Sequence, residues 1–211
     1  MKVKLENICK SFKNNNLLEN INIEFEPGKI YGIIGKNGSG KSVLLKIICG
    51  FYNPDSGRVL FDNNCINLEK SFAPSTRALI EHPNFLPNLS GLDNLKLLAS
   101  IQNVIGEDEI MVTLKKVNLF EERNKKYSKY SLGMKQKLGI AQVLMEDPDV
   151  EIFDDPFNGI DDESIEMIRT VLNEEKKRNK VIILATHLKN DIEELCDEVY
   201  KIDKNTLNKV E

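Results

Sequence analysis

Residues 35–42 read Gly-Lys-Asn-Gly-Ser-Gly-Lys-Ser, a spacing of glycines, lysine and hydroxyl suited to wrapping a polyphosphate. The backbone through Gly35, Asn37, Gly38, Ser39 and Gly40 can curl until successive N–H groups point inward at phosphate oxygens. A helix opening at Lys41 adds the positive end of its dipole. Lys41 would reach the β- and γ-phosphates, and the Ser42 hydroxyl would ligate Mg²⁺. The loop also has the flanks this chemistry needs. It follows a short apolar strand, Lys29–Ile34, and opens a helix in which Val43, Leu44, Leu45, Ile47 and Ile48 give an almost wholly buried look.

A second constellation lies far down the chain. Val150–Phe153 is an apolar strand that delivers an acid, Asp154, at its end, the arrangement that holds a Mg²⁺ shell opposite a phosphate loop. Asp155-Pro156-Phe157-Asn158-Gly159-Ile160-Asp161 follows, and a later strand, Val181–Ala185, runs into Thr186-His187. An imidazole at that strand end would face a γ-phosphate. Upstream, Tyr130-Ser131-Leu132-Gly133-Met134-Lys135-Gln136 starts a helix, where a serine and nearby N–H groups can meet an anion.

Positioning these groups requires a sheet with helices on both faces. Val3–Ile8 and Leu18–Glu26 read as antiparallel strands around an Asn-rich turn; Arg58–Phe61 and Thr76–Ile80 are further strands. From about Pro83 to Pro148 the pattern is helical: Leu92, Leu95 and Ala99 share one face, Ile110, Leu114 and Val117 another, Leu138, Ala141 and Leu144-Met145 a third. An amphipathic helix with Ile165, Ile168 and Leu172 inward separates the two late strands. A last helix around Asn190–Cys196 and a strand at Glu198–Ile202 close the chain. Buried strands alternating with helices indicate a largely parallel sheet, with the middle block inserted between its two parts.

The 211 residues suit one α/β domain, and 41% hydrophobic with 29% charged residues argues against disorder. With a net charge of −4 and mixed signs there is no basic stripe, so no nucleic-acid partner is expected. Cys9, Cys49, Cys65 and Cys196 lack metal-ligand spacing and read as buried thiols. Met1–Ile8 lacks the apolar stretch of a signal peptide, and the apolar runs are far shorter than the roughly 18 residues a bilayer requires, so the expected location is cytoplasmic.

Taken in order, these motifs resemble the ABC ATPase family over essentially the whole chain. Ser131-Leu132-Gly133 looks like a variant of its LSGGQ signature, Asn158–Asp161 like its D-loop, His187 like its switch histidine and Phe12 like the aromatic that stacks on adenine. Ile80-Glu81-His82-Pro83 and Tyr130–Gly139 are similar to bacitracin- and lantibiotic-type exporters. The resemblance implies an α/β P-loop ATPase core, a largely parallel sheet flanked by helices with an N-terminal antiparallel β part, plus an inserted helical lobe. The whole, 1–211, is one ABC ATPase domain, with about 1–82 and 149–211 as core and about 83–148 as lobe. It implies ATP and Mg²⁺ as cofactors, with Ser42, Asp154 and Glu81 on the metal, Asp155, His187 and Glu81 in catalysis, and Ser131 and Gly133 closing on a second chain's nucleotide. Partners would be another ATPase subunit, in a homodimer or heterodimer, and a membrane-spanning permease that holds the chain to the inner face of the cell membrane and exports a substrate.

The sequence departs from that pattern at four places. Asp155 stands where the family usually has glutamate, about 1.5 Å shorter in reach. Three readings stay open: Asp155 works through a small backbone shift or second water, the site is slow by design, or a partner subunit supplies the chemistry. Glu81 stands for the usual glutamine and brings an extra charge, and Leu132 and Met134 replace a glycine and a glutamine. His82 reads as loop surface. Pro83–Leu89 is either an exposed docking patch for a permease helix or packed against the lobe. Two other function classes remain. One is a soluble ATPase acting on nucleic acid or the ribosome, disfavoured by the absence of coiled-coil heptads. The other is an ATP-gated binding module with little hydrolysis.

Overall fold

The computed structural model describes residues 1–13, 15–65, 72–187, 192 and 194–210. Two sheets enclose one helix. Strands β1 (Val3–Phe12) and β2 (Asn15–Phe25) pair with β4 (Ser56–Phe61) and β5 (Asn64–Cys65) in an antiparallel sheet of order β2-β1-β4-β5. The larger sheet takes β3 (Lys29–Ile34), β6 (Thr76–Leu79), β7 (Val150–Asp154), β8 (Val181–Thr186), β9 (Glu198–Asp203) and β10 (Thr206–Lys209) in the order β10-β9-β3-β8-β7-β6. Five of its strands run parallel, and β10 folds back antiparallel on β9.

Parallel strands bury both faces, so β3, β7 and β8 are apolar almost throughout and their side chains alternate between two cores. Tyr31, Ile33, Val150, Ile152 and Ile183 face helix α1 (Lys41–Ile48) and the antiparallel sheet. Ile30, Phe153, Ile182 and Leu184 face the other way, onto α4 (Leu132–Leu144) and α5 (Asp162–Lys177). The apolar faces of α2 (Gly91–Gln102) and α3 (Glu107–Lys116) belong to that same cluster. The helical segment is therefore packed through α4 against the sheet, and its core is continuous with the sheet's own.

The parallel order brings the carboxyl ends of β3, β8, β7 and β6 to one edge, where open α/β sheets bind ligands. Register fixes their heights: Ile34 lies beside Thr186, Asp154 beside Ala185 and Leu79 beside Phe153.

Several expectations need amendment. Strands β5 and β10 are short and mostly exposed and carry no apolar alternation to announce them. None of the four cysteines is disulfide-bonded, but only Cys49 is buried; Cys9 and Cys196 are half-buried and Cys65 is exposed at the end of β5. Within the helix expected around Asn190–Cys196, residues 190, 191 and 193 lie outside the described residues, while Ile192 and Leu195 are buried. The Pro83–Leu89 loop is split: Phe85 packs edge-on to Tyr127 with ring centroids 5.3 Å apart, whereas Leu86 is exposed. Asn94 fixes Leu86 at both backbone groups, accepting from its N–H at 2.8 Å and donating to its carbonyl at 3.1 Å. Among the described residues no helix is long and apolar enough to cross a membrane.

Candidate active site

The phosphate loop leaves β3 and enters α1 through Gly40, whose φ of +104° is open to glycine and strained for any residue with a Cβ. A Cβ there would also lie 3.0 Å from Leu18. Lys41 is buried and donates to the Gly35 carbonyl at 2.8 Å and to that of Lys36 at 3.3 Å, which holds the loop closed around its own cation. The Ser39 hydroxyl is buried with no hydrogen-bond partner. It packs against Gly35, where a Cβ would come within 2.6 Å of it, so this contact too keeps the loop closed.

Across the edge, the Ser42 hydroxyl donates to Asp154 Oδ2 at 2.5 Å. Burial pushes the Asp154 carboxyl up and the neighbouring Asp155 adds to this, while Ser42, Lys41 and a backbone hydrogen bond from Glu81 pull it down. Asp155 adopts a left-handed backbone (φ +46°), held by its N–H donating to the Ala185 carbonyl at 2.7 Å. Its carboxylate oxygen lies 3.1 Å from His187 Nδ1, so the β7 and β8 ends meet through one side-chain contact. Glu81 lies in the bend after β6, its φ also left-handed at +64°, and its carboxylate accepts from Lys46 of α1 at 2.5 Å.

Two adjoining clefts result. One, of about 320 Å³, is lined by Ser42, Glu81, His82, Gln136, Asp154, Asp155 and Asn158. The other, of about 300 Å³, runs along the loop past Asn37, Gly38, Gly40, Lys41 and Val43 to Leu17, sharing Ser42, Asp154 and Asp155 with the first. These residues fit Mg²⁺ with nucleotide. Ser42 and Asp154 offer hard oxygens, and among the described residues no group of three or more His, Cys, Asp or Glu is placed to hold a metal alone. The protein then supplies two donors and leaves the other positions to phosphate and water, as Mg²⁺ favours.

Gly35, Ser39 and His187 line neither cleft, though the first two belong to the loop and His187 touches Asp155; Phe12, Ser131 and Gly133 stand apart from both. Phe12 is held edge-on to Tyr52 at 5.9 Å with the Lys10 ammonium over its ring. Ser131 caps α4, accepting from the Met134 N–H at 3.2 Å, and Gly133 packs on the Gly159 backbone, where a Cβ would come within 3.0 Å. Leu132, exposed on one side, covers Gly159 on the other, so the Ser131–Gly133 and Asn158–Asp161 segments share one surface.

Sequence reasoning gave Gln136 no role of its own, named Asn158 only within the Asn158–Asp161 segment and read His82 as loop surface. Gln136 is buried and donates to the Asp155 and Pro156 carbonyls, both at 3.2 Å. Its signal was a lone amide on the inward face of α4, in line with Gly139, Ile140 and Val143. His82 is exposed yet lines the larger cleft, a position that only the bend after β6 creates.

A phosphate loop after the central strand, with acids from neighbouring parallel strands at its mouth, defines a nucleotide-binding α/β protein. A family model described as ABC transporter matches residues 18–158, and the chain belongs to that family, among its ATP-binding cassettes. An uncharacterized ABC transporter ATP-binding protein of Bacillus subtilis, YybJ, is 36% identical over 205 residues, spanning 97% of this chain and 94% of that one. A bacitracin transport ATP-binding protein of Enterococcus faecalis, BcrA, is 34% identical over 93% of this chain and 65% of its own length. A lantibiotic transport ATP-binding protein of Streptococcus pyogenes, SrtF, is 33% identical over 92% and 84%. The dimeric structure of a bacterial ABC transporter cassette superposes with a TM-score of 0.88 at 25% identity, covering 99% of each chain. A post-hydrolysis dimer of that cassette bound to ADP and Pi gives 0.88 at 26%, again covering 99% of each.

Proposed function

We propose that this chain hydrolyses ATP as one of two paired subunits that drive a membrane permease, in the direction of export. The observation that carries the reading is the convergence, at one sheet edge, of the Ser42–Asp154 contact and the Asp155–His187 contact, with the phosphate loop between them.

In this reading Lys41 leaves its loop carbonyls for the β- and γ-phosphates, and the α1 N-terminus and loop N–H groups take the remaining oxygens. Ser42 and Asp154 hold Mg²⁺, which when bound neutralises charge on the phosphate oxygens. Asp155 orients a water and accepts its proton as the oxygen attacks the γ-phosphorus and the bond to the bridging oxygen breaks, leaving ADP and phosphate. His187 fixes the Asp155 carboxylate through Nδ1, and donation from its other ring nitrogen to the phosphoryl group would require the imidazolium form. Glu81, in the bend after β6, would offer a further carboxylate oxygen on the metal's side of the cleft.

The Ser131–Gly133 end lies outside this chain's own clefts, so its anion-binding helix start is available to a second copy's nucleotide. Two chains closing head to tail would trap two ATP molecules. Residues 83–148 then act as the lobe that carries the signature, and the exposed Leu86 offers a permease helix an apolar contact. The bacitracin and lantibiotic transport relatives support the subfamily reading. The chain would work at the inner membrane face through its permease. A second reading, an ATP-gated clamp with little turnover, is favoured by one feature: the short Asp155 carboxylate is already engaged by His187.

Steady-state ATPase activity decides between them. If the motor reading holds, wild type turns over with Mg²⁺, Asp155→Asn loses about a hundredfold or more, and Lys41→Ala loses nucleotide binding. A silent wild type that Asp155→Glu awakens supports the clamp.

A further inference from the structure

Three carboxylates, from Glu81, Asp154 and Asp155, line the cleft into which a phosphate chain would come. The inner two have partners within the site, Ser42 for Asp154 and His187 for Asp155. The loop's own cation, Lys41, is engaged by the Gly35 and Lys36 carbonyls. Glu81 stands at the rim, and its charge is met by a residue outside the lining: Lys46, whose ammonium reaches Oε1 at 2.5 Å.

Lys46 follows Ser42 by four residues on α1 and so shares the helix face that presents the Ser42 hydroxyl. Its side chain is 21% exposed, against 64% for Glu81, and its Nζ sits 5.5 Å from the centre of the Tyr52 ring. The ammonium is thus confined between an acid and an aromatic face. Glu81 in turn holds a left-handed backbone that costs energy for a residue with a Cβ. Such a conformation persists where the surroundings fix it, here the backbone contact to Asp154 on one side and Lys46 on the other.

We propose that Lys46 is a positioning residue for the nucleotide site: it holds the Glu81 carboxylate at the rim of the cleft and cancels its charge, so that an incoming phosphate chain meets no uncompensated acid there. The proposal rests on the reading of Glu81 as a group that faces metal and nucleotide. An exposed ion pair adds little to folding, so the loss of Lys46 is to be read in nucleotide binding.

The test uses the purified chain at low ionic strength. Affinity for a fluorescent ATP analogue is measured with Mg²⁺ and with EDTA, and kcat and KM are measured alongside. The variants are Lys46→Met, Lys46→Arg, Glu81→Gln and the Lys46→Met/Glu81→Gln pair. Lys46→Met is expected to weaken binding roughly tenfold, the effect of one unit charge several ångströms away in a partly screened cleft. KM rises more than kcat falls, and Lys46→Arg recovers most of the loss. The Lys46→Met/Glu81→Gln pair, which removes both charges together, is expected to bind nucleotide within about twofold of wild type, since no uncompensated acid remains. A double variant as weak as Lys46→Met alone overturns the proposal, because Lys46 then acts on the nucleotide itself; no loss with Lys46→Met overturns it as well. Failure of the Glu81 reading looks different: Glu81→Gln alone then leaves kcat and the Mg²⁺ dependence at wild-type values.

Discussion

Strand β7 carries two buried acids three residues apart, and they have opposite surroundings. Asp154, at the carboxyl end, opens onto the clefts and takes a hydrogen bond from Ser42. Glu151, near the other end, is fully buried on the opposite face, and neither of its carboxylate oxygens has a hydrogen-bond partner. Burial pushes both carboxyls up; for Glu151, with Glu175 nearby, the result is about 8. The same strand therefore holds one acid where charge can be met by ligands and one where the charge is suppressed. A perturbed carboxyl points to a site only when something charged can reach it.

The comparison breaks most sharply under paired substitutions. Asp154→Asn is expected to cut turnover about a thousandfold if, as proposed, its carboxylate holds the metal beside the reacting phosphates. The same change should leave folding stability unchanged or slightly raised, because a carboxyl pushed up by burial is itself a cost at neutral pH. Glu151→Met should instead raise folding stability at neutral and higher pH and leave kcat/KM within about twofold. A Glu151 variant that loses turnover in proportion to Asp154→Asn would sink the distinction; ATPase rates beside urea unfolding curves decide it.

How much of this was legible follows the same division. Residues 35–42 and 150–154 could be read because a backbone cradle and a strand-end acid need those residue types at that local spacing, and β3, β7 and β8 because burial on both faces forces continuous apolar runs. What the sequence withheld depends on distant contacts. The Lys46–Glu81 pair joins residues 35 apart, and Gln136 reaches Asp155 across 19 positions. Glu151, an acid inside an apolar strand, carries no local sign that its carboxylate is buried without a hydrogen-bond partner. Phe12, placed ahead of the loop, meets Tyr52 edge-on and Lys10 over its ring while staying exposed, contacts that no local spacing announced.

Gln136 sharpens the functional half. Its amide ties the helix that begins at the signature to the backbone on which Asp155 stands. Gln136→Ala removes a donor from two carbonyls, which should cost about 1–2 kcal/mol of stability. It should also loosen Asp155 in its left-handed conformation, and a displacement of about 1 Å in a reacting group can cost up to a hundredfold. The expected outcome is roughly a tenfold loss in kcat with nucleotide affinity nearly intact. An equal loss of affinity would instead place Gln136 on the ligand.

The smallest effect concerns Glu151 alone, and its sign is fixed by the direction of the shift. The folded carboxyl, at about 8, lies above the ordinary 4.5, so the folded chain keeps a proton that the unfolded chain releases between those values. Its contribution to stability is therefore fully present below about pH 4.5 and is lost as pH rises toward 8. Lys180 and Arg178 lie close enough to moderate that loss, and Asp147 is paired with both, so removing Glu151 does not strand them. Glu151→Met fills the same space without a group to deprotonate. It should stabilise the chain by about 1–2 kcal/mol at pH 8, well below the full linkage value, and by much less at pH 5. Urea unfolding at the two pH values is the measurement. An equal gain at both would assign the effect to packing, and a net loss at pH 8 would mean that the charged form of Glu151 is stabilised by the cations around it.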